Sequence, residues 1–220
     1  MLINTDLHQR VVLDTHSLAW QPSPLAGVER RPLERWAAES GRATSIVRYA
    51  AGSAFKAHGH PAGEEILVLE GIFADEYGDY PAGTWLKNPA GSQHAPRSPE
   101  GCLLFVKLCY LTADEQTRLC IDTRNAAWQP GPAAGLSVLS LDRVGATQTL
   151  LQRWAAGSHL GVRQYPGGAE ILVLEGTYHD ESGAYPAGTS ARGPSQPQCD
   201  LGPVRPDHAR VRRRLGQRSE

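Results

Sequence analysis

The chain has 220 residues, a formal net charge of −1 and 40% hydrophobic residues. That is enough length for one large domain or two of roughly 110 residues, and too apolar for a disordered chain. The near-neutral charge points to neither nucleic acid nor a membrane surface, and no run of 18 apolar residues exists to form a transmembrane helix.

The first ten residues include Asp6, Gln9 and Arg10 and lack an apolar stretch of signal-peptide length, so a cytoplasmic protein is expected. A short helix could be written over Pro32 to Glu39, although the same residues could lead into a strand. Thr44 to Tyr49, TSIVRY, is a β-prone run ending in an aromatic residue. Ile66 to Leu69 is a short apolar run closed by Glu70-Gly71, and Leu103 to Leu108 is a second. With 23 glycines and 16 prolines punctuating such runs, the pattern is that of a β-sandwich or barrel. The four cysteines, at 102, 109, 120 and 199, form no CxxC pair and are read as free, mostly buried thiols.

Past a polar seam at Leu111 to Thr117 the chain is written a second time. Glu65 to Gly71, EILVLEG, recurs unchanged as Glu170 to Gly176, and Tyr80 to Thr84 recurs as Tyr185 to Thr189. Over positions 50–89, 22 of 40 residues equal their partners 105 positions later. Upstream the echo continues at an offset of 108: Asp14-Thr15 and Ala19 to Pro22 return as Asp122-Thr123 and Ala127 to Pro130. A period this long exceeds that of solenoid repeats, so each copy is a whole domain: 1–112 and 113–220.

The chemistry is concentrated in the first copy. His58 and His60 stand two apart, which on a strand sends both imidazoles to one side. Glu64 follows across the turn His60-Pro61-Ala62-Gly63, and His94 arrives from a later segment after Pro89-Ala90-Gly91. Neutral imidazoles with one carboxylate form a donor set suited to a divalent transition metal, whether zinc, iron, manganese, nickel or copper. In the second copy all four positions change together, to Arg163, Tyr165, Ala169 and Cys199. Gly52, Gly71, Gly83 and Pro89 meanwhile keep their partners. Glu65 persists as Glu170, which singles out Glu64 as the carboxylate tied to the histidines. Arg163 would occupy the vacated space as a structural or anion-holding cation.

The run Gly52, His58, His60, Glu64, Gly71, then Gly83, Pro89, Gly91, His94 resembles the bipartite cupin motif G(X)5HXH(X)3E(X)6G and G(X)5PXG(X)2H. The asparagine usual three or four residues after the last histidine is replaced, Arg97 and Ser98 standing there. The phrases HGHPAGEEILVLEG, DEYGDYPAGTW and NPAGSQHAPRSPEGC look like the ChrR-type cupins, the C-terminal part of anti-sigma factors that release extracytoplasmic-function sigma factors under oxidative stress. That resemblance implies an all-β chain of two tandem jelly-roll (double-stranded β-helix) barrels. It also implies zinc on His58, His60, Glu64 and His94, a regulatory protein partner, and a role in transcriptional regulation. The helical anti-sigma domain of that group carries an HxxxCxxC motif, and no such motif occurs in these 220 residues. Cupin dioxygenases, among them acetylacetone-cleaving enzymes, share the same donor set. They imply instead iron or another redox metal and a small organic ligand in the first barrel, with Tyr49, Glu65, Trp85 and Lys87 as candidate pocket residues.

The tail from Arg205 to Glu220 carries six arginines against two acidic residues. The match of His208 to Leu215 with Gly101 to Leu108 points to an edge strand, with Ala209, Val211 and Leu215 facing inwards and most arginines facing solvent, in preference to a nucleic-acid patch. The repeated Trp20 and Trp128 are expected to pack between the copies, and a homodimer is left open by the sequence.

Overall fold

The computed structural model describes residues 2–37, 41–158, 165 and 167–193, and the backbone of 209–215. Every regular element among them is a β-strand. The helix considered at 32–39 is not formed over its described residues, 32–37. Val28–Arg35 is instead a strand paired antiparallel with Ala43–Tyr49, and the register shifts between Pro32 and Glu34. Proline cannot donate to a ladder, and a bulge is one of the few places a sheet accepts it.

The chain divides into two compact units, Met1–Thr5 with Leu18–Ala126, and Asp6–Ser17 with Ala127–Glu220. The main sheet of the first runs Leu119–Asp122, Thr84–Asn88, Glu64–Asp75, Cys102–Leu108, Ala43–Tyr49, Val28–Arg35, Gln21–Pro22. That of the second runs Val11–Asp14, Thr189–Gly193, Ala169–Val173, Ala209–Leu215, Thr147–Trp154, Leu136–Val144, Gln129–Pro130. The orders are equivalent strand for strand, as the sequence repeat requires.

The spatial units differ from the sequence copies in one respect. Leu119–Asp122, which opens the second copy, pairs with Thr84–Asn88 of the first unit, and Val11–Asp14, which opens the first copy, pairs with Thr189–Gly193 of the second. Each unit therefore takes one of its two edge strands from the opening of the other copy. The closing strand expected in the basic tail is present as Ala209–Leu215, hydrogen-bonded on both sides to Thr147–Trp154 and Ala169–Val173. It is an inner strand, and the expected inward and outward facing of its side chains lies outside the described residues.

In the first unit the alternation of each strand sends Ile66, Val68, Leu86, Leu104 and Val106 into one apolar core with Val28, Val47, Phe73 and Tyr80. The opposite face is buried as well. Leu67, Trp85 and Phe105 are at most 3% exposed there, with Glu65, Lys87 and Lys107 among them. Lys107 is accommodated by Thr44, whose Oγ1 accepts from Nζ at 3.1 Å, and by the Tyr110 ring 3.7 Å away. Burial on both faces is why these strands read as continuous apolar runs and not as clean alternation. Within the units, Trp20 stacks with the guanidiniums of Arg31 and Arg48, 4.1 and 4.3 Å from its ring centre, and Trp128 with Arg153 at 4.4 Å. Cys102 and Cys120 are free thiols, Cys102 buried and Cys120 exposed.

Candidate metal centre

Two tight turns bring the motif together. After His60 the chain reverses so that Gly63 N donates to His60 O at 3.1 Å, which returns Glu64 toward the histidines. Gly63 has φ +69°, and a Cβ there would lie 2.4 Å from Leu111 Cδ1 and 3.0 Å from Asn88 O, so only glycine makes this turn without strain. The same carbonyl accepts a second bond, from Gly91 N at 2.9 Å. One backbone oxygen thus clamps both halves of the motif. Beyond that clamp His58–His60 pairs with Ser92–His94, placing His94 directly across from His58.

The three imidazoles converge, their coordinating atoms all within 4.8 Å of one another, a group that could hold a metal ion. The ring centres are 4.9–5.2 Å apart. His60 and His94 are buried and His58 half-buried. Glu64, only 7% exposed, places Oε2 at 3.6 Å from both His60 Nε2 and His94 Nε2. His60 Nε2 and His94 Nε2 approach to 3.0 Å. That is the separation of two ligands sharing one cation through bonds of about 2.1 Å near a right angle. The donor chemistry also fits, since a buried carboxylate among imidazoles is costly unless a cation or proton offsets it.

Each converging group is held from behind. His94 turns Nδ1 toward Asp75 Oδ2 at 3.4 Å, leaving Nε2 for the cluster. His58 Nδ1 faces Lys56 O at 3.3 Å, and Asn88 Nδ2 donates to Glu64 Oε2 at 3.1 Å. Backing partners of this kind fix the ring tautomer and orientation of metal-ligating histidines. Arg118 joins two of them: Nη2 donates to Asp75 Oδ2 at 3.2 Å and to Tyr80 OH at 2.8 Å, and Nε donates to Asn88 Oδ1 at 3.2 Å.

The electrostatics follow this arrangement. Burial lowers the pKa of His60, aided by His94 and His58 against the pull of Glu64. Burial presses His94 the same way, but Asp75, Glu64 and Glu76 carry it above its ordinary value. Burial pushes Asp75 upward, and it is nonetheless held low by hydrogen bonds from His94, Tyr80 and the Tyr77 N–H, with Arg118 adding its charge. Tyr80, desolvated and donating to Asp75 at 2.8 Å, is pushed up to about 12.

Of the residues singled out in sequence, His58, His60 and His94 meet, and Glu64 lies beside His60 and His94. Tyr49 is on the core side, its ring 5.2 Å from Phe55 and 5.9 Å from Phe73, which in turn lies 5.9 Å from His94. Glu65, Trp85 and Lys87 alternate with Ile66 and Leu86 and so face away from the histidines; Lys87 Nζ lies 3.4 Å from Glu115 Oε2. Arg97 and Ser98, standing where the motif usually has asparagine, hold the neighbouring hairpin through the carbonyls of Asp75 and Ile72. Sequence reasoning missed Asp75, Asn88 and Arg118. Asn88 becomes Gly193 in the second copy, changing together with His58, His60, Glu64 and His94, and that signal could have marked it.

In the second unit the turn survives, Gly168 N donating to Tyr165 O at 2.7 Å, while Tyr165 and Ala169 stand in place of His60 and Glu64. Arg163 and Cys199 lie outside the described residues. Among the described residues no helix is long and apolar enough to cross a membrane.

Solved structures with the same fold include a candidate dioxygenase from Nostoc punctiforme: TM-score 0.77, 15% identity, covering 97% of this chain and 88% of that one. The nickel(II) complex of the pirin YhhW from Escherichia coli aligns with TM-score 0.68 at 14% identity, over 96% of this chain and 100% of that one. A mutant oxalate decarboxylase OxdC from Bacillus subtilis gives TM-score 0.64 at 10% identity, over 94% and 76%. At these identities the likeness establishes the all-β cupin barrel and nothing finer. No curated protein gives a significant match. A family model described as the ChrR cupin-like domain matches residues 8–112 and again 116–200. Those two matches span most of the chain, and it belongs to the ChrR cupin-like family, as a tandem pair of cupin domains.

Proposed function

We propose that the first unit holds one divalent transition metal through His58, His60, Glu64 and His94. The chain then serves as a metal-bearing sensor, the role of the cupin part in ChrR-type anti-sigma factors, and relays oxidative stress to a regulatory protein partner. The observation that carries the metal reading is the convergence of three imidazoles within 4.8 Å, with the Glu64 carboxylate 3.6 Å from two of them. Zinc is the occupant we favour; iron, nickel and manganese suit the same donors. A cation held by such a set acts as a Lewis acid and accepts an outside oxygen donor. The surroundings favour a sensory role over turnover. Phe73 and, beyond it, Phe55 and Tyr49 offer no group that exchanges protons near neutrality, burial pushing the Tyr49 hydroxyl far up. Asp75 sits on the edge of His94 remote from the cluster.

A second reading is an iron-dependent cupin dioxygenase of the acetylacetone-cleaving kind, acting on a small organic molecule in the first barrel. Its support is the half-buried His58, which leaves one side of the cluster reachable, together with the likeness to the Nostoc protein. Metal analysis and oxygen uptake separate the two. Stoichiometric zinc with no oxygen consumption in the presence of β-diketones supports the sensor. Iron with substrate-dependent oxygen uptake overturns it in favour of the enzyme.

A further inference from the structure

We infer that Arg118 is a positioning residue of the metal centre, fixing His94 through Asp75 and Glu64 through Asn88 with one guanidinium; this rests on the metal reading above. Arg118 lies past the end of the first sequence copy, yet its strand neighbours are those of the first unit. Its Nη2 reaches Asp75 Oδ2 (3.2 Å) and Tyr80 OH (2.8 Å), and its Nε reaches Asn88 Oδ1 (3.2 Å). Accepting from Arg118 through Oδ1 orients the Asn88 amide so that Nδ2 points at Glu64 Oε2, 3.1 Å away. Asp75, fully buried on its side chain, presents the same oxygen to Arg118 and to His94 Nδ1. The guanidinium is itself braced by the Tyr77 ring, 4.0 Å from its carbon. Two of the four proposed ligands are thus tied to one planar, permanently charged group with several fixed donors, a task lysine could not duplicate.

The second unit separates this role from ordinary scaffolding. Its equivalent arginine, Arg10, donates to Asp180 Oδ2 at 2.8 Å and to Tyr185 OH, and Tyr185 OH donates to Asp180 Oδ1 at 2.7 Å. The arginine–aspartate–tyrosine triad therefore exists where the four ligand types are gone. What differs is the remaining arm. Arg10 reaches Ser182 Oγ at 2.7 Å, and the position of Asn88 is Gly193. The branch that reaches toward Glu64 occurs only beside the ligands.

The test uses the full chain with cobalt(II) and zinc(II) as probes. Arg118→Met, Arg118→Lys and Arg10→Met are compared for metal-free melting temperature, metal affinity by chelator competition, and the cobalt ligand-field spectrum. Loss of a backing residue typically weakens metal binding about 10–100-fold. Arg118→Met is expected to show a loss of that order with an altered cobalt spectrum, and Arg118→Lys a loss of the same sign. Arg10→Met should lower the metal-free melting temperature while keeping wild-type affinity and spectrum. Should Arg118→Met fail to fold, Arg118→Lys carries the test. Wild-type affinity and spectrum in the Arg118 variant that folds would overturn the role assigned to Arg118 and leave the metal centre standing. Failure of the unmutated chain to bind either metal would overturn both.

Discussion

Glu64→Gln is the sharpest perturbation of the centre, because it exchanges a charged donor for a neutral one of equal size. Glu64 is 7% exposed, and its Oε2 accepts from Asn88 Nδ2 and lies 3.6 Å from two imidazole nitrogens. Glutamine keeps an oxygen for Asn88, so the metal-free fold should be little changed, and relief of a buried carboxylate offsets part of any loss. The metal-bound state is different. At a free metal concentration 1,000 times the dissociation constant, binding stabilises the wild-type protein by about 4 kcal/mol. If loss of the anionic donor weakens affinity about 100-fold, the upper end of what even an outer partner contributes, the increment at the same metal concentration falls to about 1.4 kcal/mol. At roughly 4 °C per kcal/mol for a unit of this size, a metal-induced rise of about 16 °C shrinks to about 6 °C. Glu65→Gln is the control: it is one residue away and 1% exposed, but faces away from the histidines. It should change the baseline and leave the metal increment intact. Thermal unfolding in chelator and in excess zinc reads both quantities. Equal increments in wild type and Glu64→Gln would refute the assignment of Glu64, and a collapse in Glu65→Gln would transfer it to the wrong face of the strand.

Three further outcomes follow from the same structure. Gly63→Ala should cost more stability than Gly91→Ala in chemical denaturation. Both sites have positive φ, a strain of roughly 1–2 kcal/mol for alanine, but only at Gly63 does the new Cβ meet Leu111 at 2.4 Å, open space surrounding Gly91. Tyr80 and Tyr185 are each pushed up to about 12 from 10.0, so between pH 10 and 12 the unfolded chain has lost protons that the folded one keeps. Their contribution is whole below pH 10 and is lost as pH rises through 12; Tyr80→Phe should flatten the alkaline fall in stability, and an unchanged slope would contradict the buried Tyr80–Asp75 bond. Leu104→Ala, at 1% exposure in the core of the first unit, should destabilise by about 2–5 kcal/mol in denaturant titration. A loss under 1 kcal/mol would mean that core is not close-packed.

The doubled β-architecture was legible because glycines at required turns and apolar alternation leave a direct trace in sequence. EILVLEG and YPAGT recur at one offset since both units make the same strand and turn. The three histidines were equally legible, because the two-residue spacing of His58 and His60 maps onto strand periodicity. The strand Val28–Arg35 was harder to read, because Pro32 weakens any ladder assignment and the bulge that admits it has no local marker. The exchanged outer strands were invisible as well. Leu119–Asp122 and Val11–Asp14 each repeat faithfully, and a repeat says nothing about which copy of a sheet a strand joins. The residues backing the histidines and Glu64 were lost for a related reason. Asp75, Asn88 and Arg118 act through contacts 19 to 43 residues apart in sequence, where no spacing rule applies.

X-ray absorption at the metal edge, on the full chain purified without an affinity tag, tests the central claim most directly. Joint ligation by His58, His60, His94 and Glu64 predicts one metal per chain with three imidazole nitrogens and at least one oxygen at about 2.0–2.2 Å. A protein that retains no metal after zinc, iron, nickel or manganese is supplied, or whose bound ion shows sulfur or fewer than three imidazoles, would contradict it.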